Sequence, residues 1–200
     1  MAFFIRRNDV LIQTQAVKYK PDLRVDFQWR CAYCETTEVY RRGVDVFGVD
    51  HFKPKAKFPE LDCHYPNLYY CCNQCKSHKG SAWPNSEREA AGGGFIDPCV
   101  RDPLEDDLSE ESNGRLSAYT DASSYTLRRL SLNRPELIRF RVRRAKIGAR
   151  IEDLRQVVGR PESQLDAARR LAMEEILDEL WLEWEATFKG VAWESYGWGV

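Results

Sequence analysis

The sequence predicts an α+β protein, with a small strand-and-helix unit in its first half and a mostly helical second half that closes as a helical hairpin. Three observations predict it. Two Cys-x-x-Cys pairs, Cys31/Cys34 and Cys72/Cys75, enclose 37 residues. Between them lies a valine-rich run punctuated by glycines and then a proline, a pattern of short strands and turns. Late in the chain, Ile147, Ile151, Leu154 and Val158 recur at helical spacing.

A chain of 200 residues can bury one sizeable core, or a small module with a helical extension. Hydrophobic residues at 43% and charged residues at 30% are ordinary globular values, so disorder is not expected. The net charge of -1 conceals segregation: residues 123–160 carry eleven Lys/Arg against three Asp/Glu, whereas residues 173–187 carry six acids and no base. One face could bind a polyanion; charge runs also arise simply as solvated surface. No apolar run approaches the length that crosses a bilayer, and the opening "MAFFIRRNDV" lacks the order of a signal peptide, so the expectation is cytoplasmic, with no membrane partner. In a reducing compartment, patterned thiols hold metal more readily than they form disulfides.

The expected organisation is an N-terminal extension over 1–26, a compact unit over 27–82, a connector over 83–121 and a helical region over 122–200. In the compact unit, "CAYC" and "CNQC" are tight knuckles, each bringing two sulfurs to one ion at about 2.3 Å. Four thiolates from Cys31, Cys34, Cys72 and Cys75 complete a tetrahedral Zn²⁺ site, closed to water and therefore structural. Cys71 has no such pairing, and Cys63 and Cys99 are expected as small buried hydrophobes. Between the knuckles, Val44, Val46, Phe47 and Val49 read as two short strands, with Gly43 and Gly48 at a turn and Asp50-His51 at the end of the second. Pro54 stops regular pairing, and "NLYYCCNQCKSHKG" passes from loop into a short helix near the second knuckle.

Cys31-x-x-Cys34, Val49-Asp50-His51-Phe52-x-Pro54, Asn67-Leu68 and Cys72-x-x-Cys75 followed by Lys79, in this order, resemble the zinc-stapled HNH endonucleases with a ββα-metal core. Downstream, "FIDPC", "GRLSAYT" and "LRRLSLNRPELIRFR" more loosely resemble the tail of the HNH subunits of Septu-type anti-phage defence systems. The resemblance implies a metal-dependent endonuclease acting on DNA, double-stranded in particular, with a partner protein such as a defence-system ATPase. It makes His51 the general base and Asp50 the ligand of a catalytic Mg²⁺ or Mn²⁺, and it has Asn67 orient His51 through a hydrogen bond and fix the loop between them. An imidazole titrates near neutrality and suits proton abstraction.

Lys76 departs from the family, which normally has Asn or His directly after the last knuckle cysteine as a second ligand to the catalytic metal. Protonated lysine cannot ligate a cation. Three explanations stand: His78 substitutes; water completes the shell while Lys76 faces the phosphate; or the unit binds nucleic acid without cutting it. Lys53 and Lys55, with Lys57, form a basic loop, and Lys76 and Lys79 add to a nucleic-acid footprint of seven bases against four acids over residues 41–82; by the resemblance, Lys79 supports either the phosphate or the fold. The main rival function is a catalytically weak, zinc-stapled module that binds nucleic acid or docks a partner; a second is a zinc-ribbon adaptor in a larger assembly that uses no Asp50-His51 chemistry.

Residues 83–121 read as a surface connector with a short hairpin near Gly114-Arg115-Leu116. Asn133, Pro135 and Glu136 read as a helix start; Gly159-Arg160-Pro161 stops that helix, and a second runs from about Glu162 to Phe188. Arg139, Arg141, Arg143 and Arg144 either face a duplex or pair with the acidic second helix. The tail residues Trp193, Tyr196 and Trp198 close the core or dock a partner.

Overall fold

The computed structural model describes residues 3–159 and 166–190, an α+β arrangement with two small antiparallel sheets. In chain order its elements are Lys20–Asp26 (α1), Glu38–Arg41 (α2), Phe47–His51 (β1), Leu68–Cys72 (β2), Asn73–Lys79 (α3), Ser86–Ala90 (α4), Pro103–Asp106 (α5), Leu108–Glu110 (β3), Leu116–Ala118 (β4), Asp121–Arg129 (α6), Pro135–Val158 (α7) and Ala167–Trp184 (α8), with a π turn over Glu185–Gly190.

β1 pairs antiparallel with β2, Phe47 opposite Cys72 and His51 opposite Leu68, and β2 runs directly into α3. This differs from the expected hairpin within residues 44–49. Val44–Val46 is a single 3-10 turn, and the partner of β1 is a segment read from sequence as loop. All five residues of β2 are buried, so it lacks the polar alternation that marks a half-exposed strand.

One core runs through the molecule. Phe4, Tyr19, Leu23 and Phe27 pack with Phe47, Val49 and β2, and the cluster continues through Phe95, Ile96, Leu108 and Leu116 to Leu130, Leu132 and Leu137. Residues of the expected extension and of the expected connector both contribute to this core. The β3–β4 hairpin is where the sequence puts it. Gly114 closes it at φ +79°, where a Cβ would lie 2.7 Å from the Ile138 carbonyl, so glycine is required on both counts.

α6 starts with a Thr120–Ser123 capping box. Asn133 does not cap α7; its amide bonds both the N–H and the C=O of Leu116, and Arg134 stands at the helix start before Pro135. α7 and α8 pack antiparallel, Gly148 against the Trp184 ring and Arg155 over Trp181, with Arg170 reaching the Val158 carbonyl. α8 begins after Asp166, whose side chain caps it. The expected helix stop at Arg160-Pro161, the expected start at Glu162, Leu165 and the aromatic tail residues Trp193, Tyr196 and Trp198 lie outside the described residues. Three of the four arginines considered for a duplex surface are used internally: Arg141 is buried on the Gly114 and Leu132 carbonyls, Arg143 pairs with Glu183, and Arg144 pairs with Glu110 and Glu35. Among the described residues no helix is long and apolar enough to cross a membrane.

Candidate metal centre and cleft

The first knuckle is shaped by backbone bonds: Glu35 N donates to Cys31 O at 2.9 Å with Glu35 at φ 60°, and Cys31 N donates to Thr36 O. Ala32 N donates to Tyr70 O at 2.8 Å, which fastens this knuckle to β2. The second knuckle is the start of α3, where Cys72 is the N-cap and its Sγ accepts from Cys75 N at 3.4 Å. The sulfurs of Cys31, Cys34, Cys72 and Cys75 all lie within 4.8 Å of one another, and all four residues are buried. Cys34 and Cys72 Sγ are 3.8 Å apart, close to the edge of a tetrahedron with about 2.3 Å bonds. The donor set fits a metal such as zinc.

Two guanidiniums face this group. Arg134 donates to Cys75 Sγ at 3.3 Å and Arg41 to Cys34 Sγ at 3.9 Å. Burial works against the charge of Arg134, but the thiols of Cys75 and Cys34 hold it above its ordinary value. Four thiolates around a divalent ion keep two negative charges, which these arginines offset. Nothing in the sequence flagged either one. Arg134 lies 59 residues beyond Cys75, and only the tertiary fold joins them.

His51, at the end of β1, borders an open cleft of about 540 Å³ whose rim includes Lys20, Lys55, Asp62 and Lys76. Its Nε2 is 2.9 Å from both the carbonyl and the carboxylate Oδ1 of Asp62. Asp62 was not singled out in the sequence, since its reach to His51 depends on how the loop 52–66 folds back. An Nε2–H donated to Asp62 leaves the lone pair on Nδ1. Lys76 Nζ lies along β1, donating to Val49 O at 2.7 Å.

Neighbouring residues of a strand point to opposite faces, and Asp50 does so relative to His51. Its Oδ2 accepts from Tyr33 OH at 2.7 Å and lies 2.9 Å from Lys79 Nζ, deep in the core. Burial, and then the Asp50 charge, push the Tyr33 phenol well above its ordinary range. Asp50 and His51 still border one smaller hollow, about 180 Å³, with Lys55, Gly80 and Ser81.

Three expectations are corrected here. Lys79 has no exposed surface; it donates to His51 O at 2.6 Å and pairs with Asp50, so it braces the fold and cannot touch nucleic acid. His78 points from α3 into a separate groove with Arg88, Tyr125, Arg128 and Arg129, away from Asp50, as side chains two apart on a helix must. Asn67 makes no hydrogen bond to His51. Its Oδ1 accepts from Lys53 N at 2.8 Å and its Nδ2 donates to the carbonyls of Lys53 and Leu61, which fixes the loop as expected. Lys53 is partly engaged by Glu89 and the Phe58 and Trp83 rings, whereas Lys55 remains mostly exposed near Asp62. Cys71 is buried beside Asp50, and Cys63 and Cys99 are only partly buried.

Among the described residues no second group of three His, Cys, Asp or Glu could hold an ion. Mg²⁺ needs less: one or two carboxylates suffice when water and phosphate oxygens fill its shell. Asp50 borders the hollow it shares with His51, but its Oδ2 is engaged on the core side of β1 by Tyr33 and Lys79, and Lys76 cannot supply a ligand. The chain matches no protein-family model and no curated protein.

Proposed function

We propose that the chain is a metal-dependent endonuclease of the HNH type that hydrolyses phosphodiester bonds in DNA, on a ββα unit stapled by Zn²⁺ held by Cys31, Cys34, Cys72 and Cys75. The observation that carries this reading is His51, anchored through Nε2 on the wall of an open, lysine-rimmed cleft. In that setting Nδ1 of His51 takes the proton of the attacking water. Lys76 and Lys55 hold the phosphoryl oxygens, and Asp62 keeps the ring from turning. Tyr33 and Lys79 orient Asp50, the residue that would hold Mg²⁺ or Mn²⁺. When bound, that cation neutralises phosphoryl charge and assists the departing 3′ oxygen. The anti-phage role and an ATPase partner follow from the sequence resemblance alone.

Lys76 favours a second reading, a nucleic-acid-binding module that cuts weakly or not at all. The test is incubation of the purified full chain with supercoiled plasmid and Mg²⁺ or Mn²⁺, beside His51→Ala. The expected result is metal-dependent nicking that falls by about 10²- to 10⁴-fold in the variant. Nicking that persists in H51A removes His51 as the base, and binding without nicking under either metal supports the module.

A further inference from the structure

The groove that receives His78 was not part of the site read from the sequence. It is an open hollow of about 520 Å³ between α3, α4 and α6, lined by His78, Arg88, Tyr125, Arg128, Arg129 and Ser131. Its charge is lopsided. Arg128 and Arg129, in the last turn of α6, are exposed and make no ion pair or side-chain hydrogen bond among the described residues. Arg88 is fixed in place: it lies 5.0 Å over the Tyr125 ring, donates to the Gly93 carbonyl, and reaches the exposed carboxylate of Asp121 at 3.3 Å. Among the described residues, Asp121 is the one acid paired with the groove's arginines, against three guanidiniums and an imidazole. Basic residues at a helix C-terminus complement its dipole. That role does not require two adjacent arginines to stay unpaired beside a third guanidinium already stacked on an aromatic ring.

We infer that this groove is a second contact for the sugar–phosphate backbone of a nucleic acid, separated from the His51 cleft by α3. Guanidiniums recognise phosphate oxygens in pairs, and a concave row of them suits a strand better than a flat anionic membrane. α3 presents Lys76 to the cleft and His78 to the groove, so a bound polymer could be held on both sides of one short helix. The inference rests on the nucleic-acid part of the function proposed above and is independent of cleavage.

The test is equilibrium binding of a fluorescent DNA duplex to the full chain across a salt series, without added Mg²⁺. Arg128→Glu with Arg129→Glu is expected to raise Kd at least tenfold and to reduce the dependence of log K on log salt by about two phosphate contacts. A control reversal at exposed positions elsewhere, Arg115→Glu with Arg150→Glu, is expected to stay near the parent. Equal losses in both variants mean that only overall charge matters and overturn the inference, as does parent-like binding by R128E/R129E. Preferential binding to vesicles of anionic phospholipid over DNA also overturns it. If plasmid nicking fails while R128E/R129E loses DNA binding selectively, the groove stands and the nuclease reading falls.

Discussion

Lys79 and Asp50 show how much a residue's role depends on what surrounds it. In the sequence, Lys79 stands at the lysine position marked by the resemblance, which leaves two roles open, a phosphate contact or a support of the fold, and lysine is rarely buried without a partner. Here it has one: Asp50, brought opposite by the β1–β2–α3 geometry, with Tyr33 on the same carboxylate oxygen. Removing one member of such a buried pair leaves the other charge without compensation, at a cost of about 3–5 kcal/mol. Lys79→Met is therefore expected to lower unfolding stability by about that amount in a urea titration; a variant as stable as the parent would show that the pair is not fully buried in solution. Asp62 is the converse case. Its place against His51 Nε2 depends on a loop closure that no local pattern encodes.

At the scale of elements, the cysteine knuckles were legible because Cys-x-x-Cys is the local spacing that metal binding demands. Helix α7 was legible because a long periodic pattern survives any packing. β2 was not, because burial on both faces removes the alternation that announces a strand. The loop from Phe52 to Pro66 has little regular structure, and Asn67 holds it by bonding the backbone at Lys53 and Leu61. Asn67→Ala leaves those groups unsatisfied, at about 1–3 kcal/mol. We expect limited proteolysis to cut this loop faster in that variant while α7 and α8 stay protected; unchanged cutting would mean that Asn67 does not brace the loop.

Across the whole molecule, the sequence suggested a stapled module joined to separate helices, and the fold joins them more closely. Arg134, at the start of α7, donates to Cys75 Sγ, and Thr37 beside the first knuckle bonds the Thr187 carbonyl in the π turn. The helical half therefore grips the cysteine cluster from outside. That embrace was illegible because it joins residues 59 and 150 positions apart. A metal held by the four cysteines would therefore brace more than β1, β2 and α3, because the helical half touches the same cluster. The zinc content of the folded full chain, by elemental analysis beside Cys34→Ser with Cys72→Ser, tests this most directly. The account predicts one zinc per chain in the parent and its loss, with the thermal unfolding transition, in the variant; a parent that folds without zinc, or a variant that keeps its full transition, would contradict it.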